Sequence, residues 1–168
     1  MNSSLRLIAT GGTFDKIYLP QNGLLGFTET CLPALLAQAR LEPQTTLEVA
    51  MLVDSLDMTP AQRAQLVARC QSASESQLVI IHGTDTMIES AGAIAQALAS
   101  EGAQRTIVLT GAMVPARIEG SDALFNLGFA LAAARLLPGG VWIAMHGTIW
   151  PWDSVQKNRS AGRFETRD

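Results

Sequence analysis

The sequence has few cysteines and no long hydrophobic run, and each absence excludes a class of protein. Its two cysteines, Cys31 and Cys70, stand at no metal-binding or redox spacing from each other or from the histidines, His82 and His146. We therefore expect two buried thiols in a reducing compartment, and no metal site. Polar residues or glycine break the longest apolar stretches well before the ~18 residues that a membrane span needs, so we expect no membrane contact.

The chain also lacks a basic cluster, and only 16% of its residues are charged. A formal net charge of -3 offers no electrostatic footprint for nucleic acid, so we expect no such partner. The hydrophobic fraction of 48% lies on the apolar side for a globular protein. Apolar surface beyond the needs of one core indicates a homo-oligomer, a dimer or a tetramer. No secretory signal pattern precedes the first predicted strand, which favours the cytoplasm.

What the sequence does contain is a regular alternation of strand and helix patterns. Apolar runs typical of strands cover 5–9, 46–53, 78–81, 106–110 and 141–145, and helical patterns cover 31–40, 59–72, 86–100 and 121–137. This alternation predicts right-handed crossovers and a single α/β domain over residues 1–168. The expected architecture is an open, mainly parallel sheet with helices on both faces, a three-layer fold of the Rossmann-like or flavodoxin-like kind.

Two segments lie outside this alternation. Residues 14–27 are punctuated by glycine and proline, which predicts a mobile loop or hairpin. After residue 145 the chain is predicted to be irregular. Thr30 is the expected N-cap of the first helix, and Thr59 followed by Pro60 is a strong start signal for the second.

Glycine and threonine occur together at the ends of three predicted strands, in the turns 9–13, 82–87 and 109–113. Ligands of open α/β sheets bind just past the carboxyl ends of the strands. Three such ends therefore predict a site that holds a small polar molecule and attacks it with a hydroxyl.

Thr13 is the first candidate nucleophile, since Gly12 before it allows close backbone approach and leaves N–H groups free to meet an oxyanion. The turn could instead bind a nucleotide phosphate or simply connect two elements. It lacks the third glycine of a dinucleotide fingerprint and the lysine of a P-loop, and it opens no obvious helix, which weakens the phosphate interpretation.

Thr84 and Asp85 form a second candidate group. A carboxylate beside a hydroxyl could bind a substrate ammonium or orient a lysine that takes the threonine proton; alternatively, Asp85 or Thr86 only caps the next helix. Only two lysines exist, and Lys157, in the segment after the last predicted strand, competes with Lys16 for the role of proton carrier.

Three further residues have both a functional and a structural interpretation. Tyr18, the single tyrosine, could assist from a lid or be an ordinary hairpin aromatic. Asp54 and Ser55 could hold a carboxylate or an ammonium, or only shape a turn. His82 is favoured as a structural strand-end residue rather than a base.

Taken together, four motifs resemble the bacterial L-asparaginase family. They are Ala-Thr-Gly-Gly-Thr at 9–13, Asp-Ser-Leu-Asp-Met at 54–58, His-Gly-Thr-Asp-Thr-Met-Ile-Glu at 82–89 and Leu-Thr-Gly-Ala-Met at 109–113. Residues 121–127 resemble the family's next helix start, and 155–158 resemble its lysine motif. The resemblance runs from about residue 5 to residue 164, nearly the whole chain.

The resemblance implies hydrolysis of a side-chain amide through a covalent acyl-threonine. Thr13 would be the nucleophile and Tyr18 its assistant, while Thr84, Asp85 and Lys157 would form a second triad. For substrate binding it implies that Ser55 meets the α-carboxylate, Asp85 the α-ammonium and the Ala112 carbonyl the amide nitrogen. The expected substrate contacts are Gly12, Asp54, Ser55, Gly83, Thr84, Asp85 and Ala112. No metal or organic cofactor is expected.

The expected reaction converts L-asparagine to L-aspartate and ammonia, in a short single-domain form of the family without its smaller C-terminal domain. Along the sequence, Tyr18 follows Thr13 by fewer residues than the lid tyrosine of the family usually follows the nucleophilic threonine, so a shorter or differently folded lid is expected. Leu56 stands where many members have a polar substrate contact. Two alternatives stay open: a non-catalytic module that binds an amino acid or a nucleotide, and an amidase for glutamine or another amide.

Overall fold

The computed structural model describes residues 4–41, 45–102 and 104–167, which fold into strands and helices that alternate along the chain. The strands are β1 (Leu5–Gly11), β2 (Ile17–Leu19), β3 (Leu24–Gly26), β4 (Thr45–Val53), β5 (Gln77–Ile81), β6 (Thr106–Thr110), β7 (Gly140–Met145), β8 (Thr148–Pro151), β9 (Val155–Asn158) and β10 (Arg163–Thr166). The helices are α1 (Gly12–Asp15), α2 (Leu32–Gln38), α3 (Pro60–Ser72), α4 (Met87–Leu98) and α5 (Ala123–Leu136), with a 3₁₀ turn at Ala99–Glu101.

The central sheet has the order β4-β1-β5-β6-β7-β8. Its first five strands are parallel, and β8 pairs antiparallel with β7. The five parallel strands, counted along the chain, follow the flavodoxin-like order 2-1-3-4-5. The predicted α/β class and the mainly parallel sheet are therefore confirmed.

Helices cover both faces of the sheet, each over its own apolar core. On one face, Leu32 of α2 and Leu127 of α5 pack in a buried cluster with side chains of β1, β5 and β6. On the other, Leu66 of α3 and Ile94 of α4 do the same. Because the central strands are buried on both faces, they read in the sequence as continuous apolar runs rather than as alternating patterns. The three-layer prediction is confirmed.

Local signals placed the starts of the four predicted helices within two residues of the observed ones. α3 begins at Pro60, and Thr59 and Gln62 form the capping box that satisfies its first N–H groups. α2 begins at Leu32, a residue later than predicted. The prediction of Thr30 as its N-cap was wrong, because Cys31 holds that position; Thr30 Oγ1 accepts from the Leu32 N–H at 3.2 Å. Both cysteines are free and buried, as expected.

Two predictions about irregular segments were wrong. The turn after β1 does open a helix, the four-residue α1. The segment after β7 is not irregular: it forms β8 and then the antiparallel hairpin β9–β10. These strands are only four residues long and are separated by turns, so they carry no periodicity that a sequence window can detect. Residues 17–26 form the hairpin β2–β3, one of the two forms predicted there.

Within the part of the chain that the structure describes, none of the helices combines the length and apolar character that crossing a membrane requires.

Candidate active site

The strand order creates one switch point, between β1 and β5. From β1 the chain passes through β2, β3 and α2 to the outer strand β4, and it then returns to the other side of β1 as β5. At such a point the connections leave in opposite directions and open a crevice at the carboxyl ends of the two strands. The turns that follow β1 and β5 are the two that carry Thr13 and Thr84.

Three turns meet in this crevice with no room for side chains between them. Gly12 has φ +66°, and a Cβ built on it would lie 2.4 Å from both Cα and N of Gly83. A Cβ on Gly83 would lie 2.5 Å from Oγ and 2.6 Å from Cβ of Ser55. Glycine is therefore required at both positions, and the contacts bring the first, second and third motifs together.

Lys157 reaches this crevice from the distant β9–β10 hairpin. Its Nζ donates to Thr84 Oγ1 at 2.8 Å and to Asp85 Oδ1 at 2.9 Å. The hairpin is held in place by Phe164, which pairs with Lys157 across the two strands and is buried in the core. The structure thus brings together the three residues of the expected triad, 73 positions apart in sequence.

Thr13 lies in α1, directly after the Gly12–Gly83 contact. Its side chain is half-buried, and its hydroxyl makes no hydrogen bond to any residue that the structure describes. Thr84 follows Gly83 in the same way, so each threonine directly follows one of the two glycines that approach each other at the sheet edge. The crevice thus contains a threonine hydroxyl without a hydrogen-bond partner among the described residues and a partly buried hydroxyl–lysine–carboxylate group.

The second lysine has a different partner. Lys16 Nζ forms an ion pair with Asp54 Oδ2, and Asp54 Oδ1 accepts from the Leu56 N–H at 2.9 Å. Burial alone would raise the pKa of the Asp54 carboxyl, but the hydrogen bonds from Lys16 and Leu56 outweigh it and lower that pKa. Asp54, expected among the substrate contacts, is therefore already paired within the protein.

Ser55 is 2% exposed and sits under the crevice, where its carbonyl accepts from the Thr86 hydroxyl at 2.9 Å. Thr86 occupies the N-cap position of α4 but makes no side-chain cap bond there. Asp85 does not cap the helix either; it pairs with Lys157. The capping interpretation of these two residues was wrong, because long-range partners take their polar groups.

Comparison with known proteins assigns the chain to a family. Residues 4–165 match the family model described as asparaginase, N-terminal. The chain belongs to the asparaginase family. It is 33% identical over 122 residues to a glutamyl-tRNA(Gln) amidotransferase component of Aeropyrum pernix, covering 70% of this chain and 27% of that one. It is 30% identical over 142 residues to L-asparaginase 1 of Escherichia coli, covering 80% and 41%.

A solved structure shares the fold. The probable cytoplasmic L-asparaginase from Campylobacter jejuni superposes with a TM-score of 0.80 at 25% identity, over 99% of this chain and 54% of that chain. This asparaginase-family chain thus spans about half the length of that solved structure and less than half of the two curated relatives it matches.

Two charged residues beside these turns were missed by sequence reasoning. Arg159, on the β9–β10 turn, places Nε 3.5 Å from the same Asp85 Oδ1 that Lys157 contacts. Asp122 accepts hydrogen bonds from the N–H groups of Met113 and Val114 at 3.0 Å, just past the buried Ala112. Burial alone would raise the pKa of Asp122, but these N–H donors outweigh it and lower the pKa. Only the resemblance of 121–127 to a family helix start pointed near Asp122.

His82 is completely buried, and burial lowers its pKa to about 4, so the ring is neutral. Its Nδ1 lies 2.8 Å from the Gly83 carbonyl, which can only accept, so Nδ1 carries the proton and Nε2 accepts from the Ser90 hydroxyl at 2.7 Å. Arg63 in turn donates to Ser90. The prediction of a structural histidine agrees with this geometry.

Tyr18 is the most exposed of the predicted site residues. Its side chain is 62% exposed on the β2–β3 hairpin and makes no hydrogen bond to a described residue. Among the residues that the structure describes, no three histidine, cysteine or acidic side chains converge in a way that could hold a metal ion.

Proposed function

We propose that this chain hydrolyses the side-chain amide of L-asparagine to L-aspartate and ammonia. The observation that carries the proposal is the position of Lys157, whose Nζ lies within hydrogen-bond distance of both Thr84 Oγ1 and Asp85 Oδ1. A lysine held between a hydroxyl and a carboxylate can exchange a proton with the hydroxyl, whereas an arginine could not. Membership of the asparaginase family supports the same class of reaction.

In the proposed reaction, Thr13 Oγ1 forms a bond to the amide carbon while its proton passes to a basic partner, either Lys157 Nζ or the Tyr18 oxygen. Backbone N–H groups of the glycine turns stabilise the oxyanion, and each such donor contributes ~3 kcal/mol. The carbon–nitrogen bond then breaks, the nitrogen takes a proton, and ammonia leaves. Water attacks the resulting ester, which releases aspartate and restores the Thr13 hydroxyl.

The substrate would be held by groups of opposite charge and by the buried turns. Asp85 is the carboxylate proposed to bind the α-ammonium, because Lys157 and Arg159 both contact its Oδ1 and no described residue bonds to its Oδ2. In Asp54 both oxygens are taken, one by Lys16 and the other by the Leu56 N–H. Ser55, beneath Gly83, would contact the α-carboxylate, with the N–H groups around Gly12 and Gly83 completing the pocket. The Ala112 carbonyl would accept a hydrogen bond from the amide nitrogen.

Tyr18 would assist from the β2–β3 hairpin. Its exposure means that this role requires the hairpin to fold down over the crevice when substrate binds. Three broader features are part of the proposal: no metal or organic cofactor takes part, residues 1–168 act as a single domain, and the cytoplasm is the compartment.

A homo-oligomer is also proposed. Phe125 and Leu136 of α5 are 61% and 84% exposed, and Phe125 stacks on Phe129 with ring centroids 6.1 Å apart. Exposed apolar side chains on one helix support a subunit contact there. Sedimentation at micromolar concentration would give a dimer or a tetramer; a monomer would contradict this part.

Ammonia release from asparagine, glutamine and succinamic acid tests the function. Thr13→Ala should lose nearly all turnover while keeping the wild-type circular dichroism spectrum, and Thr28→Ala, at an exposed threonine, should change little. Substantial activity in Thr13→Ala would refute the nucleophile. The 33% sequence identity to the glutamyl-tRNA(Gln) amidotransferase relative favours glutamine as the second candidate amide substrate. Thermal stabilisation by asparagine without ammonia would instead identify a binding module.

A further inference from the structure

Side chains of α5 and its N-cap hold the peptide groups on both sides of Ala112. Asn126 Nδ2 donates to the Gly111 carbonyl at 3.0 Å, which orients the peptide before Ala112. The Asp122 carboxylate accepts from the Met113 N–H at 3.0 Å through either oxygen, which orients the peptide after it. A second bond to Asp122, from the Val114 N–H at 3.0 Å, anchors the turn further along.

The bond to Met113 determines where the Ala112 carbonyl points. That C=O and the Met113 N–H belong to one planar peptide group, and in a trans peptide they point in opposite directions. The described residues contain no cis peptide bond. With the N–H directed at Asp122, the Ala112 carbonyl is directed away from it, and it cannot turn without breaking the bond to the carboxylate.

His146 supports Asp122 from the turn between β7 and β8. Its Nε2 lies 2.9 Å from Asp122 Oδ2, and its own N–H donates to Asn126 Oδ1 at 3.0 Å. The backbone of His146 has φ +52°, a conformation uncommon for a residue other than glycine. In this conformation His146 contacts both Asp122, through its ring, and Asn126, through its backbone N–H.

This turn lies directly against the triad. The Thr84 hydroxyl is 3.8 Å from Met113 Sδ, and a Cβ on Gly111 would lie 3.3 Å from Thr84 Cγ2. Ala112, between these two residues, is 1% exposed. A carbonyl held at this position borders the space in which the proposed reaction takes place.

We propose that Asp122, supported by Asn126 and His146, is a positioning residue that aims the Ala112 carbonyl at the departing amide nitrogen. The inference rests on the proposed function. The nitrogen becomes tetrahedral and gains a proton as the carbon–nitrogen bond breaks, so its N–H groups become stronger donors in the transition state than in the bound substrate. A fixed carbonyl acceptor therefore lowers the barrier for an amide. It does nothing of this kind for an ester, whose leaving oxygen carries no N–H group.

The experiment compares ammonia release from L-asparagine with methanol release from the β-methyl ester of L-aspartate. Asp122→Asn replaces charge-assisted bonds by weaker ones, and we expect it to lower kcat for the amide relative to the ester by about tenfold. His146→Asn keeps a side chain that tolerates positive φ, and should lower the same ratio by about threefold. The control is Asp153→Asn, at an exposed carboxylate, which should leave the ratio unchanged.

The possible results distinguish a failure of the inference about Asp122 from a failure of the proposed function. Equal losses on amide and ester would show that Asp122 only stabilises the fold, and would overturn the inference alone. A wild-type chain that hydrolyses neither compound would refute the proposed function and the inference together. If Asp122→Asn does not fold, His146→Asn carries the same comparison, because an unchanged amide-to-ester ratio in that variant contradicts the proposed support.

Discussion

Gly12 and Gly83 touch through their backbones at the point where β1 and β5 end. A Cβ on Gly12 would come within 2.4 Å of the Gly83 backbone, closer than any real Cβ contact. The threonine proposed as nucleophile follows one glycine, and the triad threonine follows the other. The close approach of the two turns that carry these threonines therefore depends on the absence of two methyl groups.

Gly83→Ala is expected to reduce turnover by at least about tenfold and to destabilise the fold by ~1–3 kcal/mol, the usual range for overpacking. Its new methyl group would lie 2.6 Å from Ser55 Cβ, which cannot move unless the 54–57 turn moves with it. Steady-state kinetics and urea unfolding would measure both effects. Gly128→Ala is the matched control, since its Cβ would meet nothing within 4 Å and alanine favours a helix.

The two lysines should respond differently to the same substitution. We expect Lys157→Met to lower the single-turnover rate by about 10²–10⁴-fold, the range typical of a lost proton-transfer group. Lys16→Met should cost less than about tenfold, because Lys16 pairs with Asp54 rather than with a threonine. Tyr18→Phe in the same assay would report whether the hairpin tyrosine takes the first proton. A larger effect at Lys16 than at Lys157 would reverse the assignment.

His82 should make the fold sensitive to mild acid. The folded state keeps the ring neutral, with its pKa lowered from 6.5 to about 4, whereas the unfolded chain binds a proton below pH 6.5. Stability is therefore fully present above pH 6.5 and falls as the pH drops toward 4, by up to ~1.4 kcal/mol per pH unit and ~3 kcal/mol in all.

Urea unfolding between pH 7 and 5 measures this slope, because that range lies above the ordinary pKa values of the carboxyl groups. His82→Gln should remove most of the slope and His146→Asn should keep it. A slope that survives the loss of His82 would mean that another group is responsible.

Arg159 should weaken the binding of substrates that carry an α-ammonium group, because it shares Asp85 Oδ1 with Lys157. The Arg159 side chain is largely exposed, so its ion pair with Asp85 contributes at most ~1 kcal/mol of interaction free energy. Arg159→Gln is expected to lower KM for asparagine by up to about fivefold and to leave KM for succinamic acid, which has no ammonium, unchanged. Arg163→Gln, on the same hairpin, is the control, and an equal effect of both variants would contradict the contact.

Features that depend on neighbours in sequence were predictable. The buried strands appear as apolar runs because both faces of the sheet are covered. The start of α3 is predictable because its signals, Thr59, Pro60 and Gln62, lie within one turn of each other. The glycine–threonine turns were recognisable for the same reason: backbone freedom and hydroxyl chemistry belong to the residues themselves. They predicted a site at the ends of the strands, where the structure places the switch point, and they contain most of the residues predicted for that site.

Tertiary structure decided which polar groups meet. Apart from the family resemblance of residues 155–158, nothing in the local sequence distinguishes Lys157 from Lys16; the difference arises because a short hairpin, anchored by Phe164, brings Lys157 to Thr84, 73 positions away in sequence. In the same way a long-range ion pair occupies Asp54, and a turn after β7 brings His146 to Asp122. Short strands and single ion pairs leave no periodic pattern in the sequence. The local sequence therefore determines what chemistry each side chain can perform, and the packing of the sheet determines which partner it meets.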